Sequence, residues 1–155
     1  SINGTVAEQI SLRDESISRA QIEKALNFVG LAEYVDSLED GKDTQVTSEA
    51  IFSQGQKQLL SIARAIVTNP PILLLDEITA NLDSITEEKI VSVLQKAGEE
   101  HTILSISHRL STIVASDRVV ILEHGKIKNI GSPEELLESD EWYRSHIALE
   151  KLTWN

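Results

Sequence analysis

Through the first third of the chain, hydrophobic positions recur every three or four residues, and each recurrence starts at a polar cap. Thr5-Val6-Ala7-Glu8 has capping-box spacing and opens a segment carrying Val6 and Ile10. Ser18-Arg19-Ala20-Gln21 repeats the spacing ahead of Ile22, Ala25, Leu26 and Val29, which share one helical face. Gly30 suits the left-handed residue that ends a helix. A further turn or two is expected over 31–38. Asp40-Gly41-Lys42-Asp43 has turn composition, and residues 41–51 form a polar connector with no clear period.

From Phe52 the pattern changes. Ser53-Gln54-Gly55-Gln56 is again Ser-x-x-Gln, and the stripe Leu59, Leu60, Ile62, Ala63, Ile66 and Val67 predicts a helix that Asn69-Pro70-Pro71 stops. Ile72-Leu73-Leu74-Leu75 is continuously apolar, which predicts a central parallel strand covered on both faces. Ser84-Ile85-Thr86-Glu87 is expected to cap a helix with the stripe Ile90, Val91, Val93 and Leu94, and Thr102–Ser107 reads as a second buried strand ending at His108. Segments 118–122 and 126–130 flank Glu123-His124-Gly125, a hairpin signal. Ser132-Pro133-Glu134-Glu135 starts a helix with proline at its first position, and a last helix covers roughly 141–151. The predicted class is α/β: a helical first third, a right-handed parallel βαβ unit and a β-hairpin closed by helices.

Composition narrows the function. The 155 residues suit about one domain, and 41% apolar content supplies a core. No apolar stretch approaches the ~20 residues of a membrane-spanning helix. Cysteine is absent, which removes disulfides, thiolate metal sites and a Cys nucleophile. Fourteen basic against 25 acidic residues leave a net charge of −11, which disfavours nucleic acid as a partner. A nucleotide can still bind locally, through backbone N–H groups and a metal ion.

Candidate chemistry lies at the carboxyl ends of the two predicted strands, where open α/β sheets bind ligands. Asp76-Glu77 ends the first and His108 the second. One carboxylate there can hold hydrated Mg²⁺, which takes one or two carboxylates plus substrate phosphates. The adjacent carboxylate can orient or deprotonate a water, and the imidazole can meet a terminal phosphate. The plain alternative is a solvated turn. Ser53 and Gln56 likewise have a plain reading as a helix cap. Gly55, in the first helical turn, costs stability relative to alanine, and its missing side chain leaves room for an anion at the helix end. His101, His124 and His146 are expected at the surface or at caps, and Trp142 and Trp154 are expected to pack a C-terminal helix. The acidic residues near Glu99 and Glu134 read as solvated helix ends.

In combination the motifs are specific. Phe52-Ser53-Gln54-Gly55-Gln56, Ile72-Leu73-Leu74-Leu75-Asp76-Glu77, Ala80-Asn81-Leu82-Asp83 and Ser107-His108-Arg109-Leu110-Ser111-Thr112-Ile113 occur in that order at close spacing. The chain resembles the ATP-binding domain of ABC transporters over nearly its whole length, with these segments matching the signature, Walker B strand, D-loop and H-switch. Gly4-Thr5-Val6 and the Ser-His-Arg-Leu-Ser-Thr-Ile block are similar to exporter-type members. The resemblance implies a partial P-loop NTPase fold, with a helical subdomain over 1–52 and the C-terminal part of the ATPase core over 53–155. It implies ATP and Mg²⁺ as cofactors. Asp76 would support Mg²⁺ through water, Glu77 would act as general base, and His108 would touch the γ-phosphate. Ser53, Gly55 and Gln56 would contact ATP held by an opposite subunit, and Asp83 would communicate across that dimer. The implied partners are a second ATP-binding domain and a transmembrane permease domain fused upstream, at the cytoplasmic face of the cell membrane. Gln54 stands where the family most often has Gly, Phe52 replaces Leu, and Thr47-Ser48-Glu49-Ala50 matches the family stretch before the signature only loosely.

No Gly-x-x-x-x-Gly-Lys-[Ser/Thr] occurs in the chain, and methionine is absent. The reading therefore expects a C-terminal fragment of an exporter, inactive in isolation and prone to self-association through uncovered sheet. Two alternatives stand beside it. One is a non-catalytic module that lends its signature to a partner's ATP site. The other is a soluble ABC-type ATPase unlinked to transport, which the missing heptad run and the acidic charge disfavour.

Overall fold

Helix α1 (Val6–Ser11) begins as its sequence predicts: the Thr5 hydroxyl accepts the Glu8 N–H at 3.1 Å, and the Glu8 carboxylate accepts the Thr5 N–H at 2.9 Å. The structure is a computed structural model and describes residues 3–47 and 51–153. Reciprocal boxes also open α2 (Arg19–Val29) at Ser18 and Gln21, and α4 (Gln54–Ile66) at Ser53 and Gln56. Gly30 closes α2 at φ 77°. A short α3 (Ala32–Asp36) and a single 3₁₀ turn over Gly41–Asp43 follow. The polar connector has no period because it pairs backward: Val6 N–H donates to Thr44 O at 3.0 Å and Val46 N–H to Gly4 O at 2.8 Å. Ser48, Glu49 and Ala50 of the loosely matching stretch lie outside the described residues, as does Trp154.

The chain forms two compact units, Ser1–Ile106 and Ser107–Asn155. In the first, β1 (Ile72–Asp76) pairs parallel with β2 (Thr102–Ile106) across α5 (Ser84–Ala97), the expected βαβ unit. Leu73 and Leu75 enter a core with Leu60 and Ile62 of α4 and Ile90 and Leu94 of α5. Fully burying each such side chain contributes about 1.5–3 kcal/mol. That core also takes in Val6, Ile10, Leu26, Val29 and Val35, so the first helices and the strand share one interior.

Three details differ from the sequence reading. β1 is covered on one face only: Ile72 and Leu74 are 58% and 72% exposed, beside Leu104 and Ile106 at 59% and 60%. A run without alternation states which surfaces a strand can bury, and here α4 and α5 cover one of them. Helix α5 starts one residue earlier than expected, because Asp83 caps it and Ser84 is its first residue. β2 stops at Ile106, so His108 follows the strand by two residues.

The second unit contains α6 (Leu110–Val114), which the sequence reading did not separate from the switch block, and the antiparallel hairpin β3 (Val119–Glu123) and β4 (Lys126–Gly131). Helices α7 (Pro133–Ser139) and α8 (Glu141–Leu152) follow, α7 with its predicted Ser132 box and proline start. Leu110, Ile121, Leu136, Tyr143 and Ile147 form its separate core. Trp142 is exposed rather than packed inside; its ring stacks on His146 at 5.1 Å. His101, expected at the surface or at a cap, is buried, with Nδ1 against the Pro70 carbonyl.

Candidate functional site

The carboxyl end of β1 places two acids in different environments. Asp76 is the last strand residue and shares the open face with Ile72 and Leu74, since side chains alternate along a strand. It pairs in register with Ile106. Glu77 leaves the strand with φ 51°, a left-handed conformation that costs a non-glycine residue roughly 1 kcal/mol or more. Its N–H nevertheless donates to Ile106 O at 2.9 Å, which ties the turn to β2. Glu77 is half-buried, and the turn behind it closes through Ala80 N–H to Glu77 O at 3.1 Å. Ile78 and Thr79 are buried beneath. Backbone strain beside an acid pair at a strand end is characteristic of functional sites.

The donor set fits a metal that arrives with a phosphate ligand. Among the described residues no group of three acidic or histidine side chains gathers as a cage. One exposed carboxylate at a strand end with a second acid next to it matches the one or two protein ligands Mg²⁺ takes beside phosphates.

The Ser53–Gln56 segment forms a helix start. Ser53 Oγ accepts Gln56 N–H at 3.1 Å, and Gln56 Oε1 accepts Ser53 N–H at 2.9 Å. Both side chains therefore satisfy their own helix end. Gly55 also has a structural cause: it is buried, and a Cβ there would collide with Cγ2 of Thr86. The glycine therefore has a packing reason in α5, beside the role toward an anion that its place at the helix start suggests.

Thr86 was not anticipated, and it links two motifs. Asp83 Oδ1 accepts the Thr86 N–H at 3.0 Å, and Thr86 Oγ1 donates to Asp83 Oδ2 at 2.6 Å. The Thr86 hydroxyl, and then its N–H, hold the Asp83 carboxyl below the usual carboxylate range. The helix starts of α4 and α5 thus meet through one threonine. The signal was present as Asp-x-x-Thr, since aspartate caps as well as serine.

His108 belongs to the second unit and is exposed. The preceding Ser107 Oγ accepts the Arg109 N–H at 3.0 Å, and Leu110 opens α6. The other histidines have local duties. His124 sits at φ 49° in the hairpin turn, and His146 pairs with Glu150 at 3.4 Å.

Comparison with known proteins gives this arrangement its relatives. The family model described as ABC transporter matches residues 2–80. An ATM1-type heavy metal exporter of Novosphingobium aromaticivorans is 39% identical over 142 residues, covering 91% of this chain and 23% of that protein. An ATP-dependent lipid A-core flippase of Ralstonia nicotianae is 43% identical over 145 residues, covering 91% and 24%. A solved bacterial Atm1-family ABC exporter with ATP bound superposes with a TM-score of 0.83 at 36% identity, over 97% of this chain and 27% of that one. The chain spans about a quarter of the length of these relatives. By these matches, which rest on more than half of its residues, the chain belongs to the ABC transporter family.

Proposed function

We propose that the protein is part of the ATP-binding domain of an exporter and that its acid pair drives ATP hydrolysis. The observation that carries this reading is the strained turn at Glu77, fixed to β2 through Ile106 and set beside the solvent-facing Asp76. Asp76 would hold Mg²⁺ through water, and the bound ion would supply neutralisation of the charge that develops on the substrate phosphates. Glu77 accepts the proton of the attacking water as general base. His108 donates a hydrogen bond to the γ-phosphate and organises the closed state. Ser53, Gly55 and Gln56 present the start of α4 to ATP held by a second ATP-binding domain, where the positive helix end favours anions. Asp83 relays between the two domains. Residues 1–52 form the helical subdomain that faces a transmembrane permease domain at the cytoplasmic side of the membrane, and 53–155 form the C-terminal part of the ATPase core. The 155 residues hold no glycine-rich lysine loop, so in isolation they bind ATP weakly and hydrolyse none.

The test uses the natural protein that carries this chain. Glu77→Gln is expected to reduce ATP turnover by at least about 100-fold, within the usual range for a lost general base, while ATP binding persists. Asp76→Asn is expected to raise the Mg²⁺ concentration needed for turnover. Full turnover by the Glu77→Gln protein refutes the reading.

A further inference from the structure

Helix α6 begins two residues after His108, and its own cap residue leaves it unfinished. Arg109 occupies the cap position with extended backbone (φ −84°, ψ 129°) but makes no side-chain cap bond. The first helical N–H, that of Leu110, donates instead to Oε2 of Glu150 at 2.9 Å, a residue 40 positions further on α8. An acid at a helix start is favoured by the partial positive charge there. Glu150 is itself held: its Oε1 lies 3.4 Å from Nε2 of His146, one turn earlier, and His146 stacks on Trp142 at an interplanar angle of 8°. The Leu110 side chain is buried in the same core as Tyr143 and Ile147 of α8. Leu110 is thus tied to α8 through its main chain, and its side chain lies in the core to which α8 contributes. On the other side of His108, Ser107 Oγ holds the Arg109 N–H at 3.0 Å.

We propose that Glu150 is a positioning residue for His108. Through the Leu110 N–H it fixes the start of α6, and with it the backbone from which the imidazole projects. The catalytic half of this claim rests on the role given to His108 above. The His146–Glu150 pair by itself adds little, because it is partly exposed. The bond that matters runs to the main chain.

Two measurements test it. In the ¹⁵N-labelled 155-residue chain, Glu150→Ala should speed exchange of the Leu110 amide by about tenfold, the loss of one ordinary hydrogen bond. Glu150→Gln, whose amide oxygen still accepts, should restore protection. The Tyr143 N–H, bonded to Asp140 Oδ1 at 2.8 Å, should remain protected in both and report that α8 is in place. In the natural protein, Glu150→Ala should lower kcat for ATP about 10- to 100-fold with KM unchanged, the effect of a group displaced by about 1 Å, and Glu150→Gln should recover most of it. Unchanged Leu110 exchange in Glu150→Ala overturns the proposal. So does loss of Tyr143 protection, which makes Glu150 a fold stabiliser, or an unaltered kcat. If Glu77→Gln retains full turnover, the ATPase reading falls, and the exchange experiment still decides whether Glu150 holds the segment.

Discussion

The Cγ2 methyl of Thr86 fills the space that a side chain on Gly55 would need. Thr86 cannot swing aside cheaply, because its hydroxyl is bonded to Asp83 at 2.6 Å. Gly55→Ala should therefore lose more to overpacking, about 1–3 kcal/mol, than the ~1 kcal/mol that alanine gains in a helix. Thr86→Ser keeps the hydroxyl and removes the methyl, so the double variant should recover most of the loss. Urea unfolding of the four proteins measures the coupling, and simple additivity would show that the two residues do not press on each other.

Two aspartate caps predict how the chain responds to acid. The Thr86 hydroxyl and N–H lower the Asp83 pKa, and the Tyr143 N–H, with Asn129 adding to it, lowers that of Asp140. Each folded-state value lies below the ordinary 3.8 of an unfolded aspartate. Their stabilisation is therefore complete above about pH 4 and is lost as the pH falls through the folded values. Asp83→Asn and Asp140→Asn keep an acceptor oxygen but cannot titrate. Thermal melts across the acid range should show a shallower decline for the double variant than for the parent, and parallel declines would refute the assignment.

Tyr143 is buried, and its hydroxyl finds no hydrogen-bond partner among the described residues. Burial also pushes its pKa up, with the Glu134 charge adding to the effect. A polar group desolvated without a partner costs about 1–3 kcal/mol. Tyr143→Phe keeps the ring in its core with Leu136 and Ile147 and should raise the melting temperature of the second unit. A lower melting temperature would mean that the hydroxyl is satisfied in solution.

The open face of β1 and β2 predicts association. Ile72, Leu74, Leu104 and Ile106 expose apolar side chains on a sheet whose two strands, among the described residues, each have an unpaired edge. Light scattering of the 155-residue chain should show an apparent mass that grows with concentration, and Leu74→Thr with Ile106→Thr should bring it toward that of a monomer. A parent chain that stays monomeric at all concentrations would refute this.

Much of this architecture was legible as local chemistry. The boxes at Thr5, Ser18, Ser53 and Ser132 carry their reciprocal bonds, because a cap is decided within four residues. Parallel pairing of 72–76 with 102–106 followed from two apolar runs separated by a helix. Coverage of those strands was not legible, since an apolar run records no neighbour. The packing cause of the glycine at position 55 was hidden for the same reason: nothing within its own helix reveals Thr86 pressing on it. Position 83 was within reach, and the Ser-x-x-Glu that begins one residue later drew the helix start away from it. Glu150 could not be found from sequence, because 40 residues separate it from the N–H it accepts. The acids at 76 and 77 were visible as residues, but their unequal environments come from a backbone turn that no composition encodes.

The left-handed turn at residue 77 has a practical consequence for anyone seeking a hardier version of this chain. Glycine relaxes that conformation, so a library sorted for heat resistance alone should enrich Gly at 77 over Ala, by roughly the 1 kcal/mol that separates the two there. Each such winner would have traded away its acid. On the role proposed for Glu77, robustness and chemistry are opposed at this single peptide unit, and a screen that reads only folded protein will choose against the carboxylate.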